Sequence, residues 1–326
     1  MVTELATGLG MLGHDDVDAL IRQRPGVFAN LTEPDWERIA ELRFSEIYAR
    51  DFSAGFANGN AFLSAPDALR GRRPSIIEWT GGRRPPGDEV APSDLRVDHV
   101  YLVSCKYLSR ILHNPSPARL IEGLLTQVPV DDMRDWYHRV APIEYQQLYE
   151  ACIDGLPGPS FPALAADLVT AQRRRLAEAL RDGWPGAAAI AYARLCEAVS
   201  EASARAWSSR ITPRSSEALF WRLLRIGSAP YFILGTSAQG STRLRIDTPW
   251  DWRRAFRLRR LEVAPQAGGQ PRVRWEAVYE VRGTAELRSV RGHIEIRWSH
   301  GRFAQPPEAK VYLDSAHEDV PGYHPL

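Results

Sequence analysis

Lysine is nearly missing from this 326-residue chain. Of its 41 basic residues only Lys106 and Lys310 are lysines, and the other 39 are arginines. A coding bias that writes Arg wherever either cation serves accounts for the ratio, so the two positions that remain Lys carry information. Cysteine is also scarce: Cys105, Cys152 and Cys196 are odd in number, far apart and without a CxxC or Cys/His pairing at ligand spacing. That excludes a disulfide framework and a structural zinc site. No apolar run reaches membrane-spanning length, and acidic residues (Glu4, Asp15, Asp16, Asp18) come early with no signal-peptide stretch. The expectation is a soluble, cytoplasmic protein with no membrane partner. P-loop, GxGxxG and GxSxG motifs are missing too, which disfavours ATP-driven, dinucleotide-redox and acyl-transfer chemistry. A net charge of +1 excludes a uniformly polybasic protein, though not a basic region.

The composition, 44% apolar and 25% charged, is that of an ordinary globular protein, and the length suits roughly one to three compact units. Helices are expected over 15–25 and 33–50, the second opened by Thr32 and Pro34 and carrying Ile39, Leu42, Ile47 and Tyr48 at helical spacing. Residues 51–75, rich in Gly, Ala, Asn and Arg, read as loop. Short apolar runs at 75–80 and 99–106 read as two strands joined by a long polar loop containing Pro85, Pro86 and Pro92. Residues 115–226 are helical in character. After 229 come β-like runs at 231–234, 258–263, 273–281, 293–298 and 310–313. Between 210 and 310 there are 19 basic against 9 acidic residues, whereas 1–209 has 22 against 28. Arg253, Arg254, Arg257, Arg259 and Arg260 crowd beside Trp250 and Trp252. Guanidinium groups interleaved with aromatic rings suit a phosphate backbone and exposed bases. Taken singly, such arginines also suit a solvated strand face paired with Asp251 and Glu262.

The segment Val97-Asp98-His99-Val100-Tyr101-Leu102-Val103-Ser104-Cys105-Lys106 is an apolar strand ending in lysine, two residues beyond a small polar residue, with an acid shortly before. Lysine is needed there if the group must be a compact ammonium able to lose a proton when desolvated, which arginine cannot do. Over roughly residues 40–126 the chain resembles the PD-(D/E)XK, restriction-endonuclease-like nuclease superfamily. The resemblance implies carboxylates holding Mg2+ (or Mn2+) and a lysine acting on the attacking water, with Lys106 in that role. Ser104 stands where a second carboxylate is usual. Asp98 lies eight residues before Lys106, about 26 Å on a continuous strand. It can therefore serve only if the chain bends near His99. Otherwise the acid is Glu78, brought opposite Ser104 and Lys106 if strands 75–80 and 99–106 pair antiparallel. Both acids are kept, Glu78 first, and Glu46 on the first helix is the matching candidate for a further metal ligand. Cys105 alternates to the other face and reads as a buried thiol.

The second lysine lies in Glu308-Ala309-Lys310, with Glu295 thirteen residues before Glu308. This trio is the alternative site, although only 16 residues follow Lys310, too few for the helix and strands that follow the motif in the family. The resulting expectation is an α+β protein: a restriction-endonuclease-like α/β core over 1–126, a helical region over 127–226 and a basic, β-rich DNA-binding region over 227–326. Its function would be metal-dependent endonuclease cleavage of DNA, in restriction or phage defence, and by resemblance as a homodimer. The alternatives are a non-catalytic nucleic-acid-binding protein with a decayed nuclease site, and a scaffold without a nucleic-acid partner.

Overall fold

A computed structural model of the chain describes residues 1–81, 93–107, 111–120, 135–154, 156, 161–227, 229–237, 240–266 and 268–326. The fold is α+β, with a six-stranded and a five-stranded sheet. Its contacts divide it into two units that are not consecutive in sequence. The first comprises Met1–Arg110, Leu224–Phe256 and Ala316–Leu326, and the second Ile111–Leu223 and Arg257–Ser315. The three consecutive regions expected from the sequence are thus interleaved, because strands from the C-terminal third complete the N-terminal sheet. The charge asymmetry along the chain dissolves for the same reason. The first unit holds 18 basic against 20 acidic residues and the second 23 against 20. Among the described residues no helix is long and apolar enough to cross a membrane.

Numbered along the whole chain, the first unit contains helices α1 (Val2–Gly10), α2 (Val17–Gln23), α3 (Glu33–Arg43), α4 (Ala49–Ser64) and α10 (Pro249–Ala255). Its sheet is built from β1 (Ile77–Trp79), β2 (Leu95–Val97), β3 (Tyr101–Tyr107), β5 (Tyr231–Ser237), β6 (Gly240–Ile246) and β11 (Tyr323–Pro325), lying side by side in that order. The pairs β1–β2, β2–β3, β5–β6 and β6–β11 are antiparallel, and β3 runs parallel to β5. One face is apolar: Ile77, Leu95, Val97, Val103, Phe232 and Leu234 pack against Leu5, Leu9, Trp36, Ile39, Phe52 and Phe62 from the helices. Alternation along the strands then puts Glu78, Arg96, Ser104 and Lys106 on the other face.

Residues 49–64, expected as loop, are the 16-residue helix α4. Its glycines lower helix propensity but permit close packing on α1. A Cβ added at Gly59 would lie 2.0 Å from the Thr7 carbonyl oxygen, and one at Gly10 would lie 2.2 Å from that of Phe56. Helix α3 starts as expected, with the Asp35 carboxylate accepting the Thr32 amide at 2.9 Å and Pro34 in the first turn. It stops at Arg43, however, leaving Phe44 and Ile47 exposed.

The second unit contains β4 (Ile111–His113), α5 (Trp136–Val140), α6 (Pro142–Ile153), α7 (Thr170–Ala179), α8 (Ala188–Ser208), α9 (Ser216–Leu223), β7 (Phe256–Gln266), β8 (Arg272–Val281), β9 (Glu286–Arg297) and β10 (Glu308–Leu313). Its sheet runs β4-β10-β9-β8-β7. Val273, Trp275, Ala277, Ile294, Ile296, Ala309 and Val311 are buried at alternating positions, and Arg272, His293, Glu295, Lys310 and Tyr312 take the intervening ones. The expected β runs at 231–234, 258–263, 273–281, 293–298 and 310–313 all fall in strands or within one residue of their ends. The prolines at 85, 86 and 92 lie outside the described residues.

Candidate active site

The hairpin that presents Lys106 is set by its turn. Asp98 and His99 both adopt the left-handed backbone region (φ 49° and 59°), so the chain reverses there and pairs Val97 with Tyr101, Arg96 with Leu102 and Leu95 with Val103. Asp94 stands just outside this paired stretch, next to Leu95. The Asp94 amide donates to the Val103 carbonyl at 2.8 Å. Its Oδ2 accepts the Cys105 amide at 2.6 Å and the Ser104 hydroxyl at 3.2 Å. A carboxylate from the neighbouring segment is therefore held against Ser104 and Cys105, the two residues that precede Lys106 on β3. Asp94 is the acid that the sequence reading missed. Ser93-Asp94 immediately precedes the alternating run Leu95-Arg96-Val97, and counting back from the Asp98–His99 turn places it beside the end of β3 that carries Val103, Ser104 and Cys105.

A buried polar chain continues behind it. Tyr231, the β5 partner of Leu102, hydrogen-bonds the Ser104 side chain, and Arg225 Nη1 donates to the Tyr231 hydroxyl at 2.6 Å. Burial pushes the Tyr231 phenol above its ordinary range, so it remains a neutral donor. The donors run from the guanidinium through two hydroxyls to the Asp94 carboxylate. Both Arg225 and Tyr231 come from beyond residue 223, which hid them from a reading confined to residues 40–126.

The opposite side of the same strand segment is pinned by Asn58 of α4. Its Nδ2 donates to the Gly235 carbonyl at 3.1 Å and to the Tyr107 hydroxyl at 3.0 Å, and its Oδ1 accepts from Arg243 Nε at 2.8 Å. Tyr107 also meets the Thr7 hydroxyl at 3.2 Å, and burial pushes its phenol up to about 12. Cys105 lies with the apolar core, and burial first, then Asp94 and Glu4, hold its thiol well above the usual range. That agrees with an unreactive cysteine.

The other expected acids stand apart from Lys106. Strand β2 lies between β1 and β3, so Glu78 faces Arg96 and, one strand further, Leu102, four residues or about 13 Å along β3 from Lys106. Its carboxylate meets His99 Nδ1 at 3.2 Å. Asp98 occupies the far turn, where it accepts the Ser75 amide at 2.7 Å, the Ile76 amide at 3.2 Å and Arg72 Nη2 at 2.6 Å. Its role there is to hold the chain that leads into β1. Glu46 is exposed in the turn between α3 and α4, and those helices pack on the sheet face away from Lys106.

Glu295, Glu308 and Lys310 do come together. Glu295 is the cross-strand neighbour of Lys310, and Lys310 Nζ lies 3.6 Å from Glu308 Oε2. The buried Glu295 is already engaged, its Oε1 accepting from Arg272 Nε at 2.9 Å and Nη2 at 2.5 Å. A metal ion would have to displace that guanidinium, so the trio suits an ion-pair lattice better than a cation site. The arginine cluster is divided. Arg253 and Arg254 end helix α10 in the first unit, whereas Arg257, Arg259 and Arg260 lie on β7 in the second. All five are exposed, but Arg259 pairs with Glu280 and Arg260 with Glu262. Trp252 is wholly buried and Trp250 is exposed.

Among the described residues no group of three or more His, Cys, Asp or Glu side chains is placed to share a metal ion. The donor set at Asp94 nevertheless suits a hard cation: a carboxylate whose hydrogen-bonded oxygen is Oδ2, beside a hydroxyl. Mg2+ commonly binds through one or two carboxylates and takes its remaining ligands from water and substrate phosphate. No protein-family model matches the chain, and neither a curated protein nor a solved structure matches it.

Proposed function

We propose that the first unit is the catalytic core of a divalent-metal-dependent endonuclease that cleaves phosphodiester bonds in DNA. The observation that carries this reading is the placement of Asp94 against Ser104 and Cys105 on the strand that ends in Lys106. It supplies an acid where Asp98, Glu78 and Glu46 do not. A sheet that continues beyond the lysine-bearing strand into β5 and β6 also accords with the restriction-endonuclease-like core, in which further strands follow the motif.

In this reading Asp94, with water, would hold Mg2+ or Mn2+, and the ion would offset charge developing on the phosphoryl oxygens. Ser104 and the Cys105 amide fix the carboxylate from behind, and Tyr231 and Arg225 fix Ser104. The Lys106 ammonium, two residues beyond Ser104 on β3, orients the attacking water and takes part in its proton transfer. Cleavage of foreign DNA is the matching biological role.

The test is supercoiled plasmid incubated with the purified chain and Mg2+ or Mn2+, against EDTA. Nicking or linearisation that disappears in Lys106→Ala and Asp94→Asn variants supports the assignment, and normal cutting by Lys106→Ala removes it. One observation favours a second reading, a nucleic-acid-binding protein without cleavage: Ser104 supplies a hydroxyl where the family has a carboxylate. That reading expects salt-sensitive DNA binding with no nicking under either metal.

A further inference from the structure

Asn58 of α4 is wholly buried in the first unit, and its carboxamide meets three adjacent strands. Both amide hydrogens are directed at the neighbours of Lys106. Nδ2 donates to the hydroxyl of Tyr107, the residue after Lys106 on β3, and to the carbonyl of Gly235, the β5 residue paired with Lys106. The carbonyl oxygen serves β6, accepting from Arg243 Nε. Burying an amide is tolerated only when its hydrogen bonds are made, and a leucine would fill nearly the same volume without that requirement. What the amide adds is placement of the strands it joins.

The bond to Tyr107 continues into α1. The Thr7 hydroxyl gives its own hydrogen to the Thr3 carbonyl at 2.6 Å, so at 3.2 Å it accepts from the Tyr107 hydroxyl, which in turn accepts from Asn58. The chain Asn58–Tyr107–Thr7–Thr3 therefore runs in one direction, and bonds so aligned polarise and strengthen one another. Its two helices are locked together at the same level. A Cβ at Gly55 would stand 2.8 Å from the Thr3 carbonyl oxygen and one at Gly59 would stand 2.0 Å from that of Thr7, so α4 rests directly on α1 on both sides of Asn58 in sequence. At the other end β5 comes equally close to the lysine, a Cβ at Gly235 falling 1.7 Å from the Lys106 carbonyl oxygen. A movement of Gly235 is thus passed straight to the Lys106 backbone.

We infer that Asn58 is the positioning residue for Lys106: from the helix-covered side of the sheet it fixes where the lysine-bearing end of β3 lies against β5, through Tyr107 on one strand and Gly235 on the other. A group held by a rigid support keeps its reactive geometry, whereas the same group on a loose strand end does not. The consequence for cleavage rests on the nuclease reading of Lys106, but the placement of Lys106 is measurable without any substrate.

Because Lys106 and Lys310 are the only lysines, full-length protein labelled with 13C-lysine gives two sets of Cε signals, which Lys106→Ala and Lys310→Met assign. Spectra are recorded in EDTA without DNA, at matched circular dichroism. Asn58→Leu, which removes all three bonds, is expected to shift or broaden the Lys106 signals and leave those of Lys310 in place. Arg243→Met removes only the bond directed away from the neighbours of Lys106, and is expected to move neither set. If Asn58→Leu does not fold, Tyr107→Phe, which lacks one hydroxyl, replaces it with a smaller shift expected. Lys106 signals that stay in place in the folded variant, or that Arg243→Met moves as far, overturn the inference. In plasmid nicking with Mg2+, Asn58→Leu is expected to lower kcat per folded molecule about 10- to 100-fold with KM unchanged, the scale of a reacting group misplaced by about 1 Å. Moved signals with undiminished nicking, while Lys106→Ala is inactive, also overturn it. Moved signals with normal cutting by Lys106→Ala uphold the placement and remove the nuclease reading instead, so the two failures are distinct.

Discussion

Asp94 and Ser104 meet at the end of the β2–β3 ladder, the serine hydroxyl donating to the carboxylate at 3.2 Å while the next amide, that of Cys105, donates at 2.6 Å. A carboxylate held by a neighbouring amide and hydroxyl keeps its orientation. Asn at this position retains an oxygen for those donors but loses the charge. Asp94→Asn should therefore fold normally and lower plasmid cleavage by about 100-fold or more, the scale supplied by a positioned charge-stabilising group. Nicking rates compared with wild type at matched circular dichroism check this. Undiminished cutting would return the acidic role to Glu78 or Asp98.

Asp98 should behave as a structural residue. Burial alone would raise its carboxyl, but the Arg72 hydrogen bond together with the Ser75 and Ile76 amides outweighs burial and holds it below the usual range. A folded-state value below the unfolded one means that this stabilisation is complete above the unfolded value of 3.8 and is lost as the pH falls through the folded value. Asp98→Ala should cost about 1–3 kcal/mol in urea unfolding at neutral pH, since two amides lose their acceptor. The difference from wild type should narrow below pH 4. A variant of equal stability at pH 7, or a gap that widens in acid, would contradict this assignment.

The strand carrying Lys106 was legible in the sequence because a β-rich run and a rare lysine coincide there. The acid beside it was not. Its identity depends on where the hairpin turns, and two consecutive left-handed residues at Asp98 and His99 look in sequence like the start of a strand. Helix α4 was hidden by the glycines that let it approach α1, which propensity counts against a helix. Arg225 and Tyr231 were hidden by chain separation, because the strand adjacent to β3 enters more than a hundred residues later. The arginine cluster misled for the converse reason: neighbours in sequence at residues 253–260 fall on either side of a unit boundary.

Gly235 tests whether the β3–β5 ladder supports the site. A Cβ there would stand 1.7 Å from the Lys106 carbonyl oxygen, a contact that only backbone displacement relieves. Gly235→Ala should destabilise the chain by about 1–3 kcal/mol, as overpacking does in well-packed interiors. It should also lower cleavage at temperatures where the protein remains folded, because the displaced backbone is that of Lys106 itself. Thermal unfolding with activity measured about 15 °C below the midpoint separates the two effects. A variant as active per folded molecule as wild type would show that this ladder does not position the lysine.

Lys310 and Lys106 can be told apart by what each variant loses. Lys310 has only 12% of its side chain exposed and stands beside Glu308 and Glu295, in a sheet whose carboxylates are otherwise engaged by arginine. Replacing it with methionine keeps most of the packing volume and removes one partner of Glu308, so stability should fall while nicking per folded molecule stays the same. Glu295→Gln should destabilise more, by about 1–3 kcal/mol, because the partly exposed Arg272 guanidinium loses the charge of its buried partner. Urea unfolding and plasmid nicking on both variants, with Lys106→Ala alongside, decide the matter. If Lys310→Met abolishes cutting in a folded protein while Lys106→Ala cuts normally, the active site lies on β10 and the ion-pair reading of the second lysine is wrong.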